Sequence, residues 1–245
     1  MMSKNRWLQA QEYERKHWQR IADKIASGVM KQLDWYGWKA RELEKKIAPF
    51  AFRIDRQNCK ILEIGSGPIG IISFLKWGKE RYAVEPLEDF FSSNAALIAL
   101  RDSKVKYIKG CGEKLPFEDE EFSLVIIDNV LDHTHEPKKV LKEMHRVLKK
   151  DGLMFFTVNI RTKWGAFLHS ILAKLNIDKG HLHSYSYGNI RHVLLEDSKF
   201  IILSEEYENY HKTKRAYLEK KEIKNIIKAY VGVVEILYIA VCCKK

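Results

Sequence analysis

The apolar run ILEI leads into Gly65-Ser66-Gly67-Pro68-Ile69-Gly70. Glycines let a backbone approach a ligand closely, and a helix that opens after such a loop offers unbonded amides. Gly65, Ser66 and Gly67 are therefore candidate ligand contacts. Glu85 stands 20 residues beyond Gly65, the separation at which an acid at a strand end meets ribose hydroxyls. Loop and acid together point to a nucleoside cofactor without choosing which. Glu63, two residues before the first glycine, discriminates. A carboxylate there is of no use to a pyrophosphate and suits a cationic amino-acid group.

A second set of residues can move protons. His133-Thr134-His135 and His181-Leu182-His183 are two His-x-His pairs, and Asp132 adjoins the first. A hydroxyl or ammonium nucleophile needs a proton acceptor with a pKa near neutrality, which makes His133, His181 and Asp132 candidate catalytic groups. Helix capping or packing is the structural alternative. Four imidazoles are also a conceivable metal set, but the expectation is that no metal is held.

These residues need elements to position them. Residues about 5–49 carry two helical patterns, the second from about Leu33 to Ile47. From Lys60 the pattern changes to short apolar runs alternating with helices. ILEI precedes a helix from Pro68, RYAVE a helix from about Leu87 to Leu100, then come VKYIK, FSLVIID, a helix at 137–148 and GLMFFTV. Alternating strands and helices predict a doubly wound, mostly parallel sheet. An excursion follows at about 160–198. Trp164, Phe167, Leu168, Ile171, Leu172 and Leu175 recur there at helical spacing. The stripe is expected to dock on the domain, with a lid over a substrate pocket and docking on a membrane surface as the other readings. A strand near 200–206, a Lys-rich helix near 213–229 and a strand near 237–243 complete the expectation.

Composition narrows the classes. With 46% hydrophobic and 31% charged residues over 245 positions, the chain is neither disordered nor low in complexity. Four cysteines without a C-x-x-C exclude a disulfide scaffold and a zinc ribbon. Cys242 and Cys243 read as strand residues, and a reducing cytoplasm is the expected compartment. There is no apolar leader at the start, and the stretch 229–243 is too short and too polar to span a bilayer. The net charge of +11 is uneven. Residues 1–59 carry 13 basic and 7 acidic groups, residues 60–160 carry 15 and 16, and residues 161–245 carry 15 and 9.

The segment GCGEKLPFEDEEFSLVIIDNVLDHTHEPKKVLKEMHRVLKKDG, residues 110–152, together with the glycine loop, resembles the class I S-adenosylmethionine-dependent methyltransferases, in particular their small-molecule type 11 group. The resemblance covers roughly residues 55–160. It implies a Rossmann-like seven-stranded fold, with residues 1–55 as an N-terminal helical cap on the substrate side. Residues 56–245 would be the methyltransferase domain, with a lid insertion at about 160–190. It further implies that Glu63, Gly65, Ser66 and Gly67 surround the methionine part of S-adenosylmethionine. Glu85, with Pro86 beside it, would take the ribose hydroxyls. Cys111, Gly112 and Glu113 would flank the adenine, and Asp128 and Asn129 would floor the site near the reacting methyl. His133 falls at the family's usual histidine position. Two departures stand out: the loop's third glycine is displaced to Gly70, and Cys111 replaces the usual acid.

The acceptor is expected to be a small molecule. Nucleic-acid amine methyltransferases carry Asn/Asp-Pro-Pro-aromatic after the fourth strand, where this chain has Asp128-Asn129-Val130-Leu131. HLHSYSYGNIRHVLLEDSKF is similar to a stretch in methyltransferases of sugar and surface-glycan pathways. That likeness, with the basic flanks, leads to the expectation of O-methylation of a sugar-type or other anionic metabolite. A nicotinamide-dependent oxidoreductase and an RNA- or protein-binding use of the fold are the competing readings.

Overall fold

The computed structural model describes residues 4–175, 177 and 180–244; residues 176, 178 and 179 of the expected excursion lie outside the described residues. Helices α1 (Lys4–Ala26) and α2 (Asp34–Ile47) open the chain. The strands are β1 (Lys60–Ile64), β2 (Glu80–Glu85), β3 (Val105–Lys109), β4 (Phe122–Asp128), β5 (Leu148–Arg161), β6 (Tyr185–Ser186), β7 (Phe200–Tyr207) and β8 (Ile236–Lys244). They lie in the order β3-β2-β1-β4-β5-β8-β7, with the two-residue β6 added beside β5. β8 runs antiparallel to both its neighbours and the rest of the sheet is parallel. This is the expected doubly wound, mostly parallel sheet of seven strands, plus one short one.

Both faces of the central strands are buried, and period-two alternation divides their side chains between two cores. Leu62, Ile64, Val125 and Ile127 face one core, into which helix α5 (Pro137–Val147) presses Val140, Leu141, Met144 and Val147. Ile61, Leu124 and Ile126 face the other, shared with Tyr36, Ala40, Leu43 and Ile47 of α2. The chain leaves β1 toward β2 on one side, while β4 pairs with β1 on the other. The strand order therefore reverses between β1 and β4, and the loops after these two strands flank the crevice where open α/β sheets bind ligands.

Several expected helices are shorter than the patterns indicate. The helix expected from Pro68 is a single 3₁₀ turn, Ile71–Phe74. Gly70 sits at φ +80° and Leu75 is already extended, and the chain must reach β2 at Glu80. The helix expected over 87–100 is two pieces, α3 (Glu88–Ser92) and α4 (Ala95–Ile98). They break at the extended residue Asn94, where Ser92 and Ser93 bond back to the carbonyls of Asp89 and Phe90.

Beyond β5 come α6 (Lys163–Lys174), α7 (Tyr187–His192), α8 (Tyr210–Glu219) and α9 (Ile223–Val231). Lys221, at φ +54°, divides the Lys-rich helix in two.

The apolar stripe expected to dock on the domain does so only through Leu168 and Leu172, which are half-buried. Trp164, Phe167, Ile171 and Leu175 are exposed, and the buried side is Gly165, His169 and Ala173. A Cβ on Gly165 would come within 2.3 Å of the Gly232 carbonyl. The small face is the one that fits, and it turns the large side chains outward.

Candidate active site

A cavity of about 450 Å³ opens at the crevice between β1 and β4. Its lining includes eleven of the residues expected from sequence to hold the cofactor: Glu63, Gly65, Ser66, Gly67, Glu85, Pro86, Cys111, Gly112, Glu113, Asp128 and Asn129. Gly65 and Gly67 have φ values of +68° and +61°. A Cβ at Gly65 would fall 2.5 Å from the Val130 side chain, and one at Gly67 would fall 2.8 Å from the Tyr36 hydroxyl. The loop is thus pinned between the turn after β4 and helix α2. The Tyr36 hydroxyl donates to the Ser66 carbonyl at 3.3 Å.

Two buried carboxylates organise this half of the cavity. Glu85, at the end of β2, accepts the amides of Gly67 and Leu87, each at 3.0 Å. Burial pushes its pKa up to about 7. Glu63 accepts the amides of Ile71 and Ile72 at 3.1 and 2.8 Å, and burial pushes it to about 8. Glu63 faces the cavity but serves first as the N-terminal partner of the 3₁₀ turn. Glu113 has a similar double position. It lines the cavity while one of its oxygens accepts the amides of His135 and Glu136 at 2.9 and 3.1 Å, at the start of α5. The Cys111 thiol is half-buried and its pKa is raised by burial, so it stays neutral.

On the floor, Asp128 accepts the Thr157 hydroxyl at 2.7 Å and pairs with Lys39 of α2. Asn129 takes up φ +55°, and its side-chain oxygen accepts the Asn159 amide at 3.0 Å. This tethers the end of β4 to β5.

The first members of the two His-x-His pairs meet at the cavity. The His133 and His181 rings lie 4.7 Å apart and both line the cavity. Asp132 sits behind them, fully buried, with Oδ1 3.8 Å from His133 Nε2 and Oδ2 3.9 Å from His181 Nε2. The amides of Leu182 and His183 donate to the Asp132 carbonyl at 2.8 and 3.1 Å. That backbone staple is what carries His181 to His133 across 48 residues of sequence. Glu14 of α1 approaches His133 Nδ1 at 3.9 Å. His183 bonds the Thr134 carbonyl at 2.9 Å, and His135 lies 3.6 Å from Glu136. Neither lines the cavity.

Sequence reasoning expected an N-terminal cap on the substrate side but named none of the side chains it contributes to this lining. Trp7, Gln11, Glu14 and Trp18 of α1 and Trp35, Tyr36 and Lys39 of α2 all face the cavity. The signal was present: 7, 11, 14 and 18 is an i, i+4, i+7, i+11 series, a single helix face that mixes aromatic with polar groups.

One stretch of the chain is similar to a known family. The family model described as a methyltransferase domain, type 11, matches residues 62–156, the segment that builds the glycine loop, Glu85 and the floor. Over those residues the chain is similar to that methyltransferase domain. Among curated relatives, an uncharacterised protein of Methanocaldococcus jannaschii, MJ1123, is 48% identical over 48 residues, which is 20% of this chain and 23% of that protein. A demethylmenaquinone methyltransferase of Alkalihalophilus pseudofirmus is 40% identical over 68 residues, 25% of this chain and 29% of that protein. The chain therefore spans less than a third of the length of these two relatives. Among solved structures, a geranyl diphosphate C-methyltransferase of Streptomyces coelicolor A3(2), in complex with Mg²⁺, geranyl diphosphate and S-adenosyl-L-homocysteine, superposes with a TM-score of 0.60. It is 13% identical, with 84% of this chain and 80% of that one covered. This likeness concerns the fold.

Proposed function

We propose that the chain transfers a methyl group from S-adenosylmethionine to a hydroxyl of a small-molecule acceptor. The observation that carries this reading is the division of one cavity into two chemically distinct halves. One half is the glycine loop with Glu85, and the other is the α1 face with the Asp132–His133–His181 cluster. The residues fit the cofactor. The loop presents Gly65, Ser66 and Gly67 to the cavity wall, and Glu85 keeps lone pairs for a diol after accepting two amides. When bound, S-adenosylmethionine supplies an electrophilic methyl carbon whose bond pair stays with sulfur as the methyl leaves.

The chain's own groups do the rest. The aromatic residues of α1 and α2 exclude water and hold the acceptor in line. His133 or His181, oriented by Asp132 behind them, takes the proton from the acceptor hydroxyl. Asp132, His133 and His181 thus have the catalytic roles, and Glu63, Asp128 and Asn129 shape the cofactor end.

The lining also refines the acceptor. Among the described residues, Glu14, Glu63, Glu85, Glu113 and Asp128 contribute five carboxylates, and Lys39 is paired with Asp128. Among the described residues Lys39 is also the only lysine or arginine of the basic flanks in the lining, so a neutral hydroxylated acceptor, such as a sugar, fits better than an anionic one. The test is turnover of a panel of neutral and anionic hydroxylated compounds with S-adenosylmethionine, read by mass spectrometry. The expected result is methylation of neutral members, slowed roughly 10²-fold or more in His133→Ala or His181→Ala. Full turnover in both variants removes the cluster from the mechanism.

A further inference from the structure

We infer that the outward faces of α6 and α9 form a surface that docks on an anionic lipid membrane. On α6 and its C-cap, Trp164, Phe167, Ile171 and Leu175 are 39–65% exposed. The stripe is ~16 Å long at 1.5 Å per residue. On α9, Ile223, Ile227, Tyr230 and Val231 are 43–77% exposed. The series i, i+4, i+7, i+8 makes this also a single helix face. The two faces join where the Trp164 indole N–H donates to the Val231 carbonyl at 3.2 Å and Gly165 backs against Gly232. Eight large apolar side chains in one run expose on the order of several hundred Å², the scale at which apolar patches mark a contact surface.

Charge selects the occupant. Lys163 and Lys174 are exposed at the two ends of α6, and Lys220, Lys221 and Lys224 are exposed at the start of α9. Residues 210–231 carry seven basic groups against the acids Glu219 and Glu222. Lys228 is not part of this rim, because it turns inward to Glu235 at 2.7 Å. An apolar face carrying Trp, Phe and Tyr and rimmed by lysine is the pattern of an element lying in a lipid headgroup layer. A second copy of the chain would set like-charged rims against each other, which disfavours self-association through this face. Among the described residues, no helix is long and apolar enough to cross a membrane, so contact is by lying on the surface. The opposite, buried side of α6 leads to the cavity, where the His169 ring lies 6.1 Å from that of His181.

Vesicle co-sedimentation of the full chain tests the inference, with phosphatidylcholine alone and with phosphatidylglycerol added. Wild-type protein should pellet with the anionic vesicles, and a rise in salt should release it. Phe167→Ser combined with Ile227→Ser should weaken binding by at least ~10-fold. Neutralising Lys220, Lys221 and Lys224 to Gln should weaken it by a similar or larger factor, at roughly 5-fold per lysine. All the altered side chains are exposed, so far-ultraviolet circular dichroism should be unchanged. Equal and negligible pelleting with both vesicle types overturns the inference. So does a concentration-dependent dimer, seen by light scattering, that Phe167→Ser abolishes without any vesicle binding.

Discussion

Glu85→Gln isolates the contact on which the cofactor reading stands. The carboxylate is 7% exposed, and it accepts Gly67 N–H and Leu87 N–H at 3.0 Å each. A carboxamide keeps one acceptor oxygen and turns an NH₂ group toward an amide that is itself a donor. It also removes the charge that binds a diol. Hydrogen bonds to charged groups contribute ~1.5–3 kcal/mol each, so losing one or two weakens cofactor binding by about 2–4 kcal/mol, roughly 30- to 1000-fold. Stability should fall by no more than ~1–2 kcal/mol, because one amide loses its acceptor while burial already opposes the charge. Glu85 titrates near 7 in the folded chain and near the ordinary carboxylate value when unfolded. The folded state binds more protons across that window, so the stability contributed by this group falls as pH rises from about 4.5 to about 7. A bound diol favours the ionised form, so binding releases a proton and wild-type affinity increases with pH up to about 7. Calorimetric titration with S-adenosylhomocysteine at about pH 6 and about pH 8 reads both effects, and the gap between wild type and Glu85→Gln should widen with pH. A variant within ~3-fold of wild type at the higher pH would refute the assignment of Glu85 to the cofactor.

Two further substitutions test the scaffold of the site. Gly65→Ala places a methyl 2.5 Å from Val130 at φ +68°. It should cost about 2–5 kcal/mol in urea denaturation, of which pairing it with Val130→Ala recovers the steric part, ~1–3 kcal/mol, but not the backbone part. Strict additivity of the two would contradict the contact. Glu113→Ala leaves the His135 and Glu136 amides without their acceptor, so a loss of ~1–2 kcal/mol in the same assay is expected.

The parts of the fold that were legible in the sequence are those set by local pattern. Strand runs such as FSLVIID and the α5 face of Val140, Leu141, Met144 and Val147 are fixed by periodicity that tertiary packing does not oppose. That the site residues from Glu63 to Asn129 share one cavity was legible too, because they lie at strand ends and on the loops that follow them in one short segment. What was not legible depends on long-range geometry. His181 reaches His133 only through the amides of 182 and 183 on the Asp132 carbonyl, and nothing in the local sequence marks that pairing. The α6 stripe had a clean period but no stated direction. Gly165 decided that, through its close approach to Gly232, and the large residues were left outside. The helix expected at Pro68 failed because Gly70 and the nearness of β2 outweighed a proline at a plausible first turn.

The central claim is that the cavity between β1 and β4 holds S-adenosylmethionine. Isothermal titration of the chain with S-adenosylmethionine, with nicotinamide dinucleotide as the parallel titrant, tests it most directly. The account predicts one equivalent of S-adenosylmethionine bound at a micromolar dissociation constant, about −8 kcal/mol, and no heat from the dinucleotide. Absence of S-adenosylmethionine binding up to millimolar concentration, or tighter binding of the dinucleotide, would contradict it.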